Sequence, residues 1–340
     1  MTQGETKKQH VVAEFYLRGF ADDKGKLATR MRNGFAGPAT PHRATRRHEY
    51  YTFFTDDGTR DQAIEDWFST GIEAPASRVL DRLRTGEQPE PDDTPILARF
   101  VTTSLLRTAT VRAYLEQIDD HVGPMLVLSF VAKTHPELDL VNMPPNQVEH
   151  LLPIARRALA DLPARSQDKV RSRLRTILRK SDEMAERLTS WNWRCEHATD
   201  LAFITADAPV ATLDPLLDGG WHGVIPPGSP VFMPISPTHL LVGDPNPPLG
   251  TPRPASPALI DMVNITLARG AYEAIFANPQ MNWPPELRLS PRKPALPTPR
   301  TTITASQPDQ SPTFPTEFDP VIDPVVQQLL NALGANDSVQ

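Results

Sequence analysis

Proline is the residue type that most restricts how this chain can fold, because its ring fixes φ and removes a backbone hydrogen-bond donor. The sequence of 340 residues contains 37 prolines, and many of them lie after residue 208. This distribution argues against a long helical C-terminal half. It favours short strands joined by rigid turns, and the segments LAFITADAPV, HGVIPPGSPVFMPISP and THLLVGDP fit that description.

The middle of the chain has a helical pattern instead. Thr94 and Pro95 suit a helix start, and the apolar residues of 96–118 recur at three- and four-residue steps. Further helices are predicted over 60–84 (one, or two joined near Gly71), 123–133, 143–162, 166–191 and 258–277, and strands over 27–32 and 49–54. We therefore predict an α+β fold with a helical middle region and a mixed or antiparallel sheet built from the N-terminal and later segments.

The domain organisation follows from the same patterns. We predict a single α+β catalytic domain over residues 1–285. Residues 286–340 are rich in Pro, Thr and Ser, which predicts an extended tail. The segment DPVVQQLLNALG near its end has the pattern of a short amphipathic helix.

Composition excludes several classes of protein. Cys195 is the sole cysteine, so there is no internal disulfide framework and no cysteine-based zinc site. Its packed neighbours, WNWRCEH, indicate a small buried residue rather than a nucleophile. No run of 18 apolar residues occurs and the first residues lack an apolar signal region, so we expect a soluble, cytoplasmic protein without a membrane partner.

Motifs for common cofactors are also missing from the sequence. There is no G-x-G-x-x-G, no G-x-x-x-x-G-K-[ST], no G-x-S-x-G and no H-E-x-x-H, and the histidines are scattered without ligand spacing. We therefore predict neither a metal nor a cofactor.

The charge of the chain is unevenly distributed. The net charge is −6, but nine basic and two acidic residues give 156–180 a charge of +7 and leave −13 for the remainder. On the helix predicted over 166–191 the basic residues fall within an arc of roughly 200°, opposite an apolar face. This basic stripe is either a solvated helix face or a surface for an anionic partner, and its arginines suit phosphates and carboxylates. Its residues are Arg165, Lys169, Arg171, Arg173, Arg175, Arg179 and Lys180.

Two acids in the segment DGTRDQAIEDWF raise a second alternative. On a helix, Asp61 and Glu65 would lie one turn apart on one face, with β-carbons about 5–6 Å apart. Like charges at this spacing are slightly unfavourable, so the pair is either an ordinary acidic first turn or a pair of acids that serves chemistry. Spacing alone leaves both interpretations open.

Four segments, in this order, resemble the signatures of one bacterial and fungal family that is known as a domain of unknown function. QHVVAEFYLRGF (9–20) is similar to the family pattern Q-H-Y-x-P-x-F-Y-L-R-x-F. The second segment is a D-x-x-x-E pair, Asp61 and Glu65, followed by the acid Glu73. The third and fourth are FITADAPV (203–210) and FMPISP (232–237). The chain departs from the pattern at Val11, where the family has an aromatic residue, and at Ala13, where it has proline. The local geometry there is expected to differ.

The resemblance implies a function, because the family includes the arginine-containing cyclodipeptide synthases, which use aminoacyl-tRNAs and depend on a D-x-x-x-E motif. Asp61 and Glu65 would be that motif, acting as a base for the attacking ammonium or as a clamp on an arginine guanidinium. Glu73 would support them. The resemblance further implies pocket residues and a partner: Gln9, His10 and Asp207 would bind substrate, and the basic stripe would contact tRNA phosphates.

We therefore predict a tRNA-dependent aminoacyl transferase of specialised metabolism, with aminoacyl-tRNA as substrate and no further cofactor. Two alternatives remain open. One is a nuclease or phosphodiesterase that uses the acids with Mg²⁺. The other is a non-enzymatic nucleic-acid-binding module that uses the basic helix 165–180.

Overall fold

The computed structural model describes residues 8–44, 46–48, 53–54, 60–61, 67–160, 178–212, 225–246, 254–284, 287 and 289. Contacts divide the chain into two compact units. Unit 1 holds the described residues up to Arg112 and from 178 onward, and unit 2 holds residues 113–160. This division differs from the single domain predicted over 1–285. Of the predicted tail, only Leu287 and Leu289 are among the described residues.

The strands of unit 1 pair antiparallel wherever they are described. They are β1 (Lys8–His10), β2 (Leu27–Met31), β3 (Ala36–Ala39), β4 (Arg46–His48), β5 (Phe53–Phe54), β6 (Arg60–Asp61), β7 (Asn192–His197), β8 (Thr205–Ala206), β9 (Ala211–Thr212), β10 (Val231–Pro234), β11 (His239–Asp244) and β12 (Ala274–Ala277). One four-stranded sheet has the order β3-β2-β12-β8 and the other β7-β11-β10-β9, while β1 pairs with β4 and β5 with β6. The first sheet combines N-terminal and later segments, so the predicted α+β class is confirmed.

Helices separate the early strands from the later ones. In chain order they are α1 (Glu14–Arg18), α2 (Pro41–Ala44), a π-helix (Trp67–Glu73), α3 (Ala74–Leu83), α4 (Thr94–Leu106), α5 (Ala109–Thr134), α6 (Pro145–Ala160), α7 (178–188) and α8 (Pro257–Gly270). Single 3₁₀ turns occur at Pro91–Asp93 and Pro136–Leu138. None of the helices in the described part of the chain combines the length and the apolar character needed to cross a membrane.

Two helix predictions after residue 90 require correction. The periodic segment 96–118 is broken after Leu106, and the Thr108 hydroxyl accepts a hydrogen bond from Val111 N at 3.2 Å as the next helix begins. The helix predicted over 258–277 ends at Gly270, and Ala274–Ala277 forms β12 between β2 and β8. All four residues of β12 are buried, and a short apolar run of this kind has no periodicity that distinguishes a strand from a helix.

Unit 1 contains two buried apolar clusters. The first surrounds α1 and joins it to the π-helix, α3 and α4, with Tyr16, Leu17 and Phe20 fully buried. The second packs α8 against β8, β10, β11 and β12. Within unit 2, residues of α5 and α6 form a separate cluster around Leu128 and Val131. The first cluster is the one that positions the candidate site.

Candidate functional site

The signature segments meet at the side chain of Tyr16, which is buried in α1. Its hydroxyl donates a hydrogen bond to Pro234 O at 2.5 Å and lies 2.8 Å from the Thr205 hydroxyl oxygen. Tyr16 belongs to QHVVAEFYLRGF, Thr205 to FITADAPV and Pro234 to FMPISP, so one side chain joins three of the four segments. Burial raises the pKa of Tyr16 well above its usual value, which keeps the hydroxyl protonated and able to donate.

Arg84, which follows α3, makes a second link at the same place. Its Nε donates to Ile235 O at 2.9 Å and its Nη2 donates to Tyr16 O at 3.1 Å. The backbone at Gly19 lies so close to the backbone at Ile235 that a Cβ at position 19 would lie 2.6 Å from Ile235 O. A glycine at this position is therefore a packing requirement of the junction.

A small cavity of about 10 Å³, room for about one water molecule, opens beside this junction. Its walls come from the segment after β1, the π-helix, α4 and the segment after β8. The lining residues are Val11, Val12, Ala13, Tyr16, Phe68, Ile72, Glu73, Phe100, Thr103, Ser104, Arg107 and Pro209. Two signature segments and the acid that follows the D-x-x-x-E pair thus share one space.

An ion pair lies in this otherwise largely apolar wall. Arg107 Nη1 donates to Glu73 Oε1 at 2.7 Å, and the Arg107 side chain is only 8% exposed. The guanidinium carbon lies 4.3 Å from the ring centroid of Phe68. Stacking on an aromatic face and pairing with a carboxylate both suit arginine, and together they fix the direction of the Glu73 side chain.

The cavity also holds hydrogen-bonding capacity that the described part of the protein leaves unused. Oε1 of Glu73 is engaged by Arg107, but no described residue donates to its Oε2. The hydroxyl of Ser104 likewise has no hydrogen-bond partner among the described residues, whereas that of the adjacent Thr103 lies 2.9 Å from Ser181 Oγ. Among the described residues, one unused carboxylate oxygen and one unused hydroxyl therefore belong to residues that line this small cavity.

Local sequence explains why these groups reach the cavity. Pro75 has no N–H, so it removes a donor that a regular α-helix would need at the end of the π-helix. Such irregular turns often occur at functional sites. Arg107 ends α4, with its N–H donating to Thr103 O at 2.8 Å, and the break before α5 places its side chain beside Glu73.

The sequence matches the model of a family described as "Protein of unknown function (DUF4238)" over residues 8–281. The chain belongs to the DUF4238 family. No curated protein and no solved structure matches it. The region shared with DUF4238 contains every described residue that lines the cavity.

The acid pair of this DUF4238 protein does not lie on one helix as predicted. Asp61 belongs to β6 and pairs with Phe53 of β5, so the prediction of a helix that includes Asp61 is wrong. The aromatic content of β5 favours strand pairing, and β6 is its partner. Glu65 lies outside the described residues. The catalytic assignment of Asp61 and Glu65 stays a prediction, while Glu73 is placed in the cavity wall.

Gln9 and His10 lie in β1, directly before the cavity-lining Val11 and Val12. They pair with Arg47 and Arg46 of β4. The expected change in geometry at Ala13 is not found in the backbone, because its φ of −56° is one that proline adopts. The roles of Gln9 and His10 in substrate binding stay predictions.

Asp207 makes a set of structural contacts. The residue is only 6% exposed. Its carboxylate accepts hydrogen bonds from the backbone N–H groups of Tyr272 at 2.8 Å, Glu273 at 2.6 Å and Ala274 at 3.3 Å. These bonds hold the start of β12 against the FITADAPV segment. Asp207 is not among the residues that line the cavity, and its predicted role in substrate binding stays a prediction.

Most of the basic stripe falls outside the described residues, namely Arg165, Lys169, Arg171, Arg173 and Arg175. Arg179 and Lys180 are exposed on α7 and pair with Glu183, at 3.0 Å and 2.7 Å. The hydrogen bond from Lys180, assisted by Arg179, lowers the pKa of Glu183. Exposed pairs of this kind are weak, so both cations stay accessible to an anion.

Two further predictions concern metals and cysteine. No group of three or more His, Cys, Asp or Glu side chains suited to a metal ion occurs in the described part of the chain. Cys195 is buried in β7, which confirms its interpretation as a small buried residue. Burial, assisted by the nearby Glu196 carboxylate, raises the pKa of Cys195 to about 12.

Sequence reasoning missed Arg107 and Ser104. A signal for both was present: they follow Phe100 by seven and four residues, so all three fall on one face of the helical pattern. A charged residue on an otherwise buried face is uncommon and indicates a buried partner. That partner, Glu73, lies 34 residues away in the sequence and could not be found from helical spacing.

Proposed function

We propose that this protein is an aminoacyl-tRNA-dependent cyclodipeptide synthase that incorporates arginine as one of its two residues. The observation that carries the proposal is the meeting of family signatures at one cavity, where Arg107 holds the carboxylate of Glu73. The resemblance of these signatures to those of the arginine-containing cyclodipeptide synthases supplies the reaction. The proposal includes a cytoplasmic location, where aminoacyl-tRNAs are available.

The chemistry asks little of the protein beyond positioning, because an aminoacyl ester is already activated. The α-amino nitrogen of one aminoacyl group attacks the ester carbonyl of the other, and the ribose hydroxyl of the attacked ester leaves, so that a dipeptidyl ester stays on the tRNA of the attacking residue. A second attack within the dipeptidyl ester closes the ring and releases the second tRNA. Holding the two groups in attack geometry can supply up to about 7–11 kcal/mol of the barrier. A carboxylate takes the proton from the attacking ammonium.

In this proposal the acids divide the work. Asp61 and Glu65 act as base or as substrate-binding acids, and Glu73 supports them from the cavity wall. The basic stripe binds the tRNA backbone through phosphate contacts and shape, which makes binding weaker as salt rises. Arg179 and Lys180 are the described members of that surface.

The test is expression in a bacterial host followed by mass spectrometry of the culture extract, since the host supplies every aminoacyl-tRNA. Wild type is compared with an Asp61→Asn, Glu65→Gln double variant and with Glu73→Gln. Glu149→Gln, an exposed position on α6, is the matched control. We expect a new cyclic dipeptide mass from wild type and the control, none from the double variant, and less from Glu73→Gln.

Other outcomes identify the alternatives. A soluble, folded wild-type protein that makes no cyclic dipeptide refutes the synthase proposal. Metal-dependent cleavage of nucleic acid, lost in Asp61→Asn, would then indicate a nuclease. Binding of tRNA that is unchanged in the amide variants but lost when the stripe is reversed in charge would indicate a binding module.

A further inference from the structure

We propose that a groove between α4 and α7 binds the arginyl side chain of the aminoacyl-tRNA, with Asp182 and Glu186 accepting hydrogen bonds from its guanidinium; this assignment rests on the proposed function. The groove has about 560 Å³ of space, within the range of about 300–1,000 Å³ that is typical of ligand sites. The lining residues are Gly71, Ile72, Pro75, Pro95, Ile96, Arg99, Asp182, Ala185, Glu186 and Thr189.

The charges that line the groove favour a monocation. Arg99 Nη2 lies 3.3 Å from Asp182 Oδ1, and this ion pair is the only one printed between lining residues of the described chain. No described residue donates to Asp182 Oδ2, and Glu186 makes no hydrogen bond or ion pair with a described residue. One cation and two carboxylates leave a net charge of −1, which a single bound cation would balance.

The spacing of the two acids favours a guanidinium over an ammonium. Asp182 and Glu186 lie one turn apart on α7, so their β-carbons are about 5–6 Å apart on one face of the helix. A guanidinium is planar and carries five N–H donors in a fixed fork, so it can donate to both carboxylates at once. An ammonium is a compact point charge and satisfies such a pair less well.

The remaining lining suits the stem of an arginine side chain. Five of the ten lining residues are apolar or proline and belong to the π-helix, α3, α4 and α7, namely Ile72, Pro75, Pro95, Ile96 and Ala185. Arginine packs its methylene groups along apolar surface while its charged head stays near water and acids. The groove therefore matches both ends of an arginyl side chain.

The groove also lies beside the features on which the proposed function depends. Ile72 lines both the groove and the small cavity, and it directly precedes Glu73. Arg179, a described member of the basic stripe, precedes Glu186 by seven residues on α7, which is about 10 Å along the helix axis. An aminoacyl group in the groove would thus be close to the surface that we propose for tRNA phosphates.

The experiment is calorimetric titration of the purified full-length protein with Nα-acetyl-L-arginine methyl ester, whose only charge is the guanidinium. We expect saturable binding that weakens as salt rises. The corresponding citrulline ester has nearly the same shape but a neutral ureido group, and it should bind about tenfold more weakly. The corresponding lysine ester should bind with an affinity between the two.

Three variants and two matched controls locate the site. Glu186→Gln should weaken binding of the arginine ester about fivefold and leave the citrulline ester unchanged. Asp182→Asn should weaken it at least as much, because Arg99 then also loses its partner. Thr189→Trp should weaken both esters, since a large side chain at this position occupies the groove. Glu183→Gln removes the same charge from the same helix, and Ser190→Trp adds the same bulk one residue further on. Neither position lines the groove, so both controls should bind like wild type.

Several outcomes would overturn the assignment. They are the absence of saturable binding, equal affinity for the arginine and citrulline esters, and unchanged affinity in Glu186→Gln and Thr189→Trp proteins that circular dichroism shows to be folded. Equal weakening in Glu183→Gln would also overturn it, because the effect would then reflect net charge and not the groove.

These outcomes are separable from failure of the proposed function. An arginine-containing cyclic dipeptide made in unchanged amount by Glu186→Gln and Thr189→Trp refutes the groove assignment alone. Specific binding of the arginine ester without any cyclic dipeptide refutes the synthase proposal and leaves the groove as a guanidinium-binding site.

Discussion

Replacing Tyr16 by phenylalanine would remove one oxygen atom from the point where three signature segments meet and keep the buried ring. The hydroxyl bonds to Pro234 O at 2.5 Å and to Thr205 Oγ1 at 2.8 Å, in a residue with no exposed surface. Each lost hydrogen bond costs about 0.5–1.5 kcal/mol, and a buried partner left unsatisfied costs about 1–3 kcal/mol. We therefore expect the free energy of unfolding to fall by about 2–3 kcal/mol.

Urea unfolding followed by tryptophan fluorescence and by circular dichroism measures this loss. Combining Tyr16→Phe with Thr205→Val in a double-mutant cycle isolates the bond between the two hydroxyls, for which we expect a coupling of about 1 kcal/mol. Ser190→Ala, at an exposed position, should stay within about 0.5 kcal/mol of wild type. A loss below about 0.5 kcal/mol in Tyr16→Phe would refute the idea that this hydroxyl holds the segments together.

The same residue predicts a dependence on alkaline pH. Burial raises the pKa of Tyr16 in the folded protein above its value of about 10 in the unfolded chain. The folded state therefore binds the phenol proton more tightly, and this stabilisation is complete below pH 10 and is lost as pH rises above it. Between pH 9 and 11, Tyr16→Phe should lose less stability than wild type does.

Three further predictions concern single positions in unit 1. Gly19→Ala should lower the free energy of unfolding in the same urea assay by about 1–3 kcal/mol, because a new Cβ would collide with neighbouring atoms. Gly71→Ala is the control: its new Cβ makes only ordinary contacts, so it should be neutral or stabilising by up to about 1 kcal/mol. Cys195 should react with a thiol reagent at pH 8 only after unfolding, since burial raises its pKa to about 12; rapid reaction of the folded protein would contradict this. Burial, together with His197 and Arg84 nearby, lowers the pKa of His239, so the folded protein disfavours the protonated ring. Full stability is therefore present above the unfolded pKa of about 6.5, and part of it is lost as pH falls below that value. His239→Gln should flatten the loss of stability between pH 6.5 and 5, and an unchanged profile would contradict the assignment.

Apolar periodicity predicted much of the fold, but it did not predict the point at which one helix ends and the next begins within a continuous apolar repeat. Apolar spacing continues through 96–118, yet Arg107 and Thr108 separate two helices there. The cap formed by Thr108 is a local hydrogen bond that an apolar pattern does not report. The prediction for Ala274–Ala277 was wrong for a different reason, because four consecutive buried apolar residues show neither helical nor strand periodicity.

The candidate site was predictable only in part, because its contacts join distant parts of the sequence. Spacing arguments compare residues within one helical turn, and such an argument placed Asp61 on a helix that it does not occupy. Glu73 was found through the resemblance, whereas its partner Arg107 comes from another helix. The spacing of Ser104 from Phe100 places it on the same helix face, but only the structure shows that its hydroxyl makes no internal hydrogen bond with a described residue, whereas that of Thr102 does.

The structure also separates two roles within the signature QHVVAEFYLRGF. Tyr16, Leu17 and Phe20 are fully buried and hold the segments together, so their presence indicates the fold rather than a reaction. Val11 and Ala13, the two positions at which this chain departs from the family pattern, line the cavity instead. The backbone at Ala13 keeps a φ of −56°, so the departures change the wall of the cavity and not the course of the chain. The family resemblance therefore constrains the fold of this protein more strongly than it constrains the wall of the cavity.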